Sequence, residues 1–409
     1  MKLIADLHIH SKYSRATSGD MDIPNIAKWA KLKGIALMGT GDFTHPKWLE
    51  HLKENLKETD GCYEHNSIKF ILTAEVSNIY TRTDKTRKVH NIIFAPDFET
   101  VEKINTELAG FGNLESDGRP MLSLDSEDLA KIVFDISDDC MIIPAHAWTP
   151  HFSVFGSNSG FNSLEECFGY YTDRIYSIET GLSSDPKMNW RLSQLDKITL
   201  ISNSDAHSPK NIGREANVFD VTNYTNLYEQ ITRIIRTKDK DKFLYTIEFF
   251  PEEGKYHYDG HRNCDTVLAP KDAIKNHNLC PNCERRLTIG VLHRVEELAD
   301  REENFQPVNA IGYKSLIPLR EIIADALDIG KESAGVDKEY QQITSQVGTE
   351  FDVLLEIPEE ILQKNIRTEI AEGIIKVRNG EVDIQAGYDG VYGKISIRKD
   401  KKQEQLSLF

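Results

Sequence analysis

Cysteine is scarce, six in 409 residues, which excludes a disulfide framework. Three of the six, Cys264, Cys280 and Cys283, fall in one short stretch and favour a metal site, while Cys62, Cys140 and Cys167 read as ordinary thiols. Long apolar runs are missing too. The longest, such as Cys140-Met141-Ile142-Ile143-Pro144-Ala145, falls far short of the roughly 20 residues a membrane helix needs. Met1-Lys2-Leu3 leads directly into a strand pattern instead of a signal peptide, so the expectation is a soluble cytoplasmic protein with no membrane partner. Positive charge is in deficit: 49 Lys and Arg against 65 Asp and Glu leave a net charge of −16. Charge-driven, sequence-blind binding to nucleic acid is thereby disfavoured, although clusters such as Arg82, Lys85, Arg87 and Lys88 leave room for a local basic groove.

What is present is an α/β pattern. Short runs of Ile, Val and Leu predict strands at 2–6, 35–39, 68–75, 90–95, 139–145, 174–179 and 197–202, separated by helices over 24–33, 46–57, 98–109, 124–134, 187–195 and 223–236. No helix fits between Glu75 and His90, so strands 3 and 4 are expected to pair as a hairpin that brings these two residues together. After about residue 245 the composition turns aromatic, glycine-rich and cysteine-containing, and helical patterns return near 315–328 and 357–375. The expected division is a metallo-phosphoesterase domain over 1–243, a zinc-binding module over 244–300, an accessory domain over 301–397 and a charged tail over 398–409.

Chemistry-bearing residues crowd at the predicted strand ends. Asp6-Leu7-His8-Ile9-His10 places two imidazoles on one side of an extended backbone, because side chains alternate with period two. Asp6 shares that alternation and could orient a histidine or ligate directly. Further along stand Asp42-Phe43-Thr44-His45, Glu75, His90, Pro144-Ala145-His146, Glu179 and Ser204-Asp205-Ala206-His207. Six of the 13 histidines belong to this set, and in barrel enzymes the loops after the strands build the active site. Mixed imidazole and carboxylate donors suit Zn²⁺ or Mn²⁺ better than Mg²⁺. Such ions supply activated water for phosphoester hydrolysis, and Arg15, Arg82 or Lys187 could steady the phosphoryl group.

A second metal site is independent of the first. His261-x2-Cys264, fifteen residues, then Cys280-Pro281-Asn282-Cys283 has the spacing of a zinc ribbon. Four closed ligands imply one structural Zn²⁺, with His257 and His277 as alternatives to His261. Arg262, Arg285 and Arg286 beside it would suit contact with nucleic acid. The charged stretch from Arg398 to Glu404 leads to Gln405-Leu406-Ser407-Leu408-Phe409, an apolar ending with no folding rationale. It resembles the pentapeptide that binds the bacterial DNA sliding clamp, with Gln405, Leu406, Leu408 and Phe409 as the contacting residues.

Taken together, Asp6-Leu7-His8-Ile9-His10, Glu75, His90, His146 and Asp205-Ala206-His207 resemble the successive motifs of the PHP (polymerase and histidinol phosphatase) superfamily. That resemblance implies a distorted seven-stranded (β/α)7 barrel with a two- or three-metal centre acting on phosphate esters. By position, His8, His10, Glu75 and Asp205 would form one site and Glu75, His90 and His146 a second, with Glu75 bridging. His207, with Asp42 or His45, would hold a third. The chain departs from the pattern at Arg15 and Phe43, where many members carry further ligands, so the third site is the least complete and His45 stands in for a missing imidazole.

Gly39-Thr40-Gly41-Asp42-Phe43-Thr44-His45-Pro46, Ala145-His146-Ala147-Trp148-Thr149-Pro150, the ribbon with Thr288-Ile289-Gly290-Val291-Leu292-His293-Arg294, and Ala386-Gly387-Tyr388-Asp389-Gly390-Val391-Tyr392-Gly393 resemble the endonuclease Q family over nearly the whole chain. The resemblance implies a DNA repair endonuclease that nicks on the 5′ side of uracil, hypoxanthine, xanthine or an abasic site, with His8, His10, Glu75, His146 and Asp205 in the catalytic set. Its partners would be single- or double-stranded DNA bearing a damaged base and the sliding clamp. Judging a base requires taking it out of the stack, and Ser183, Asn203 and Tyr13 are candidates to line the pocket that receives it. Two rivals are a phosphatase for a small phosphate ester, which leaves ribbon and tail unexplained, and a nonenzymatic clamp adaptor, which would show eroded metal ligands.

Overall fold

A computed structural model describes residues 1–398; the pentapeptide Gln405 to Phe409 expected to bind a sliding clamp, and all of the tail beyond Arg398, lie outside them. The chain divides into two compact units, one of residues 1–31, 35–248 and 291–314, the other of 32–34, 249–290 and 315 onward.

The strands of the first unit are β1 (Lys2–Asp6), β2 (Leu37–Gly39), β3 (Lys57–Thr59), β4 (Cys62–His65), β5 (Ile68–Arg82), β6 (Lys85–Ala95), β7 (Met121–Leu122), β8 (Met141–Pro144), β9 (Ser177–Glu179), β10 (Thr199–Ile201), β11 (Ala216–Asp220) and β12 (Phe243–Glu248). β1, β2 and β5 run parallel, β5 and β6 form a long antiparallel hairpin, β8 pairs antiparallel with β6, and β9 pairs parallel with β10. Strand-end bonds alone continue the order at two joints. Ala147 N–H donates to the Glu179 carbonyl (2.9 Å) between β8 and β9, and His10 N–H to the Ala206 carbonyl (3.0 Å) between β10 and β1. This is the distorted α/β arrangement expected of the chain; the site lies beside the ends of β1, β8, β9 and β10 and the middle of the β5–β6 hairpin.

The strands form where β-branched and aromatic residues are dense enough to be buried on both faces. The first eleven residues of β5 are all buried, as a strand between covered faces requires. Leu3, Leu37, Ile71, Phe94, Ile143 and Phe219 meet in the core. Helices start where a side chain satisfies an orphan amide: Asp97 accepts from Thr100 N–H (2.7 Å) and Asp125 from Glu127 N–H (2.9 Å). The expected helix over 187–195 is instead a short helix, Pro186–Trp190, followed by a 3-10 turn. Leu192 is extended there, and Asp300 takes the Ser193 amide (2.9 Å) that a continuing helix would use. β3 and β4 were not expected, and β5 and β6 run well past the predicted hairpin.

The second unit carries a small antiparallel pair, Asp259–His261 with Thr266–Leu268, and helices Leu319–Leu327, Ala334–Gln346, Glu359–Asn365 and Thr368–Arg378 around buried Ile322, Tyr340, Ile343, Ile370 and Ile374. Within it the Lys33 ammonium meets Glu350 at 2.8 Å, and the same carboxylate accepts from Tyr340 (2.8 Å) and the Leu319 amide (3.0 Å). Both oxygens of the buried carboxylate are thus hydrogen-bonded, which helps such a pair to be tolerated. Among the described residues no helix is long and apolar enough to cross a membrane.

Candidate metal centre

Strand ends and the middle of the β5–β6 hairpin bring two donor sets together. One is His8, His10, Glu75 and Asp205 and the other is Glu75, His90 and His146, each with its donor atoms within 4.8 Å of one another. Glu75 belongs to both. Its Oε2 lies 3.1 Å from His10 Nε2 and 3.5 Å from His8 Nε2, and its Oε1 lies 2.8 Å from His90 Nδ1 and 3.0 Å from His146 Nε2. His90 reaches Glu75 because it sits opposite Ser77 in the β5–β6 hairpin, two residues along the same face.

Whether these residues suit a cation can be judged from their unpaired atoms. His8 Nε2, His10 Nε2 and Asp205 Oδ1 are buried and none has a hydrogen-bond partner. An unsatisfied buried polar atom costs about 1–3 kcal/mol, and here three lie close together. Their other atoms are engaged: His8 Nδ1 faces Glu179 (3.0 Å), His10 Nδ1 faces Asp42 (3.0 Å), and His146 Nδ1 faces the Thr149 hydroxyl (3.1 Å). Such partners fix ring orientation and tautomer, leaving the opposite nitrogen for a metal. Burial alone would raise the carboxyls of Glu75 and Asp205, yet their cationic surroundings hold both well below the usual range. Donor type, burial and orphaned atoms all fit divalent ions.

Backbone conformation supports the same site. Asp42 (φ 49°), His146 (φ 30°) and Asp205 (φ 47°) all lie in the left-handed region, which costs non-glycine residues of order 1–3 kcal/mol and persists where function demands it.

Two contributors went unassigned in the sequence. Glu179 was visible as a strand-end acid but had no role; the other, Arg119, sits in a loop with no periodicity to mark it. Arg119 Nη1 donates to Glu75 Oε2 at 3.0 Å, whereas Arg15 is 82% exposed beside Asp117 (3.6 Å), Arg82 is held by Asp125 and Glu127 (2.8 and 3.0 Å), and Lys187 is exposed. Gly118 lets this loop approach: a Cβ there would stand 2.2 Å from Asp42 Oδ2 and 2.3 Å from Ser14 Oγ.

Other expected residues take different places. Asp42 is spent on orientation, accepting from the Ser11 amide (2.6 Å), the Ser11 hydroxyl (2.7 Å) and Ser14 (2.9 Å) besides facing His10. His45 stacks on Tyr13 with centroids 4.5 Å apart, and His207 turns Nδ1 to the Asp205 carbonyl (2.9 Å). Among the described residues Asp42, His45 and His207 do not converge as a third donor set. Asp6 accepts from Ser204 N–H (3.1 Å), Ser204 Oγ (2.6 Å) and Gly213 N–H (2.8 Å), anchoring the loop that carries Asp205. Asn203 is wholly buried; it accepts from Leu7 N–H (2.8 Å) and Asn217 (2.9 Å) and donates to Glu179 (2.9 Å). Tyr13 and Ser183 are partly exposed.

In the second unit His261, Cys264, Cys280 and Cys283 converge within 4.8 Å, with Cys283 Sγ 3.3 Å from His261 Nδ1. His257 is buried apart from them and His277 is exposed, so the four-ligand set uses His261.

Strand-end imidazoles and carboxylates sharing one glutamate, on an α/β sheet of this order, define a metal-dependent phosphoester hydrolase. The family model of the MJ0043 C-terminal domain matches residues 318–381, and MJ0043 of Methanocaldococcus jannaschii is 32% identical over 261 residues, 63% of this chain and 32% of that protein. An uncharacterized Bacillus subtilis protein, YqxK, is 30% identical over 412 residues, 96% of this chain and 99% of YqxK. The crystal structure of the lesion-specific endonuclease PfuEndoQ from Pyrococcus furiosus matches with a TM-score of 0.86 and 35% identity, covering 100% of this chain and 99% of that one. Endonuclease Q bound to a 27-mer duplex with an abasic lesion at the active site matches with a TM-score of 0.84 and 35% identity, over 98% and 97%. The chain belongs to the endonuclease Q family and is a metal-dependent DNA endonuclease.

Proposed function

We propose that this enzyme is a DNA repair endonuclease that nicks the phosphodiester on the 5′ side of a deaminated base or an abasic site. The observation that carries the reading is the full-length likeness, at 35% identity, to an endonuclease whose structure holds an abasic lesion at its active site. His8, His10, Glu75 and Asp205 would hold one ion and Glu75, His90 and His146 another, with Zn²⁺ or Mn²⁺ favoured by the donor mixture. The ions supply Lewis acidity and activated water to phosphoester hydrolysis. Glu179, Asp42 and Thr149 hold the imidazoles in register, and Arg119 offers a guanidinium to the scissile phosphate. A deaminated or missing base is cheaper to unstack than a paired one, and Tyr13 and Ser183, both partly exposed, are the residues we assign to a receiving pocket. His261, Cys264, Cys280 and Cys283 would close around one structural Zn²⁺.

Duplexes bearing one deoxyuridine, deoxyinosine or abasic analogue test the reading, with Asp205→Ala beside the parent. The parent should nick only the damaged strand, and the variant should lose at least about 10²-fold in rate. Equal cutting of undamaged DNA overturns the reading, as does rapid hydrolysis of a simple phosphate ester without nicking. The Gln405 to Phe409 motif supports a sliding clamp as partner; removing those five residues should abolish clamp binding and leave clamp-free nicking unchanged.

A further inference from the structure

Four imidazoles belong to the two donor sets, and three of them are steadied through the ring nitrogen that turns away from the cluster: His8 by Glu179 (3.0 Å), His10 by Asp42 (3.0 Å) and His146 by the Thr149 hydroxyl (3.1 Å). His90 is the exception. Its Nδ1 lies 2.8 Å from Glu75 Oε1 and 3.2 Å from His146 Nε2, which commits that nitrogen to the cluster, and among the described residues its Nε2 has no hydrogen-bond partner. What stands against the His90 ring is Phe152, with centroids 4.8 Å apart and ring planes at 41°.

Phe152 is held there in a strained backbone. Its φ is 59°, a region that bulky side chains rarely adopt and that persists only where the surroundings fix it. The fixing contacts lead back to the same donor set. The Phe152 carbonyl accepts the His90 N–H (3.1 Å), so main chain and ring engage one histidine. The Thr149 hydroxyl that faces His146 also donates to the His151 carbonyl (2.9 Å), which ties the turn to the other histidine of the set. Gly156 closes the loop tightly, since a Cβ there would stand 2.6 Å from the Thr149 carbonyl oxygen. Lys88, two residues before His90 on the same face of β6, places its ammonium 5.2 Å from the centroid of the Phe152 ring. Phe152 remains partly exposed, so core packing alone does not account for the strain.

A carboxylate on the second nitrogen both orients a metal-bound imidazole and raises its donor strength. His8 and His10 have such partners, whereas His146 has a hydroxyl and His90 a phenyl face. Resting on the reading of the site as a two-set metal centre, we propose that Phe152 is the positioning residue for His90. Its ring sets the imidazole plane by packing where the other three histidines use a hydrogen bond, and the set of Glu75, His90 and His146 holds the more readily exchanged ion.

The test titrates Co²⁺ into the full chain stripped of exchangeable metal, followed by visible absorption. The parent should show two steps of different affinity. Asp205→Asn changes only the four-donor set and should weaken the tighter step. Phe152→Ala and Phe152→Gly should weaken the other step by about tenfold or more and leave the tighter one in place, while Phe152→Tyr, which keeps the ring, should restore it. Glycine adopts a positive φ without strain, so Phe152→Gly separates loss of the ring from damage to the fold, and its melting temperature should not fall below that of Phe152→Ala. Half-activation of nicking by Mn²⁺ should shift to about tenfold higher concentration in both variants. Unchanged Co²⁺ affinities and Mn²⁺ requirement would overturn the positioning role, and equal weakening of both steps would overturn its assignment to one set. Two parental steps of equal affinity would overturn the ranking of the ions. A parent that takes up a single Co²⁺ would overturn the two-set reading itself before any variant is made, so the two failures are distinguishable.

Discussion

Glu179 faces His8 Nδ1 with both carboxylate oxygens, at 3.0 and 3.1 Å, and one of those oxygens also accepts the backbone N–H of His146 at 2.8 Å. A single carboxylate therefore holds a member of each donor set, and the sets share Glu75 besides. Orientation of the two clusters is coupled through Glu179 as well as through the shared Glu75.

Glu179→Gln keeps the shape of that brace and removes its charge. Partners of this kind typically contribute 10–100-fold to metal affinity. The variant should hold less metal at limiting supply, measured by plasma mass spectrometry, and its nicking should recover when Mn²⁺ or Zn²⁺ is raised. Parental occupancy together with parental activity would rule the brace out.

Arg119 poses a sharper choice, because it donates to the shared Glu75 at 3.0 Å. Should it serve the substrate phosphate, Arg119→Ala will lower kcat by about 10²-fold, the usual loss for one preorganised donor, while metal content holds. Should it only balance the charge of Glu75, the variant will change in metal affinity and, once loaded, turn over normally. Metal titration combined with single-turnover nicking separates the two.

Much of this site was legible because its candidate ligands stand at the ends of apolar runs of sequence, where histidine and acid serve no packing purpose. His8, His10, Glu75, His90, His146 and Asp205 are of that kind, and the missing helix before His90 foretold the hairpin. Arg119 was illegible for the converse reason: its position depends on Gly118 pressing against Asp42 and Ser14, a contact between loops distant in sequence. Asn203 was ambiguous in the sequence for a related reason. A strand-end amide can face a cavity or the sheet interior, and the partners that decide this, Leu7, Asn217 and Glu179, are set by tertiary packing. The same holds for Asp42, whose neighbouring Ser11 and Ser14 turn a potential ligand into a brace for His10.

The cysteine cluster should behave as a folding element. Its neighbourhood buries little apolar surface, chiefly Ala273, Cys280 and Leu287, so the metal itself must stabilise the local fold. Cys280→Ser should remove one equivalent of tightly bound zinc and lower the melting temperature while the donor atoms of the first unit keep their metal. Loss of no zinc, or loss of all metal at once, would contradict an independent structural site.

Glu248, wholly buried at the end of β12, accepts from the Thr246 hydroxyl (2.5 Å) and from Thr180 (3.0 Å). Burial, with the charge of Asp185 adding to it, pushes its carboxyl from 4.5 up to about 8 against the pull of those hydrogen bonds. Between those values the folded chain keeps a proton that the unfolded chain releases. Stability from this group is therefore greatest at the acid end of the window and declines as pH rises toward 8, by at most about 1.4 kcal/mol per pH unit. Glu248→Gln has no proton to lose, so its melting temperature relative to the parent should climb steadily from pH 5.5 to pH 8.5. Scanning calorimetry across that range decides the matter: parallel curves would mean that the carboxylate is already ionised in the fold, and the Thr246 and Thr180 hydroxyls would then be satisfying a buried charge.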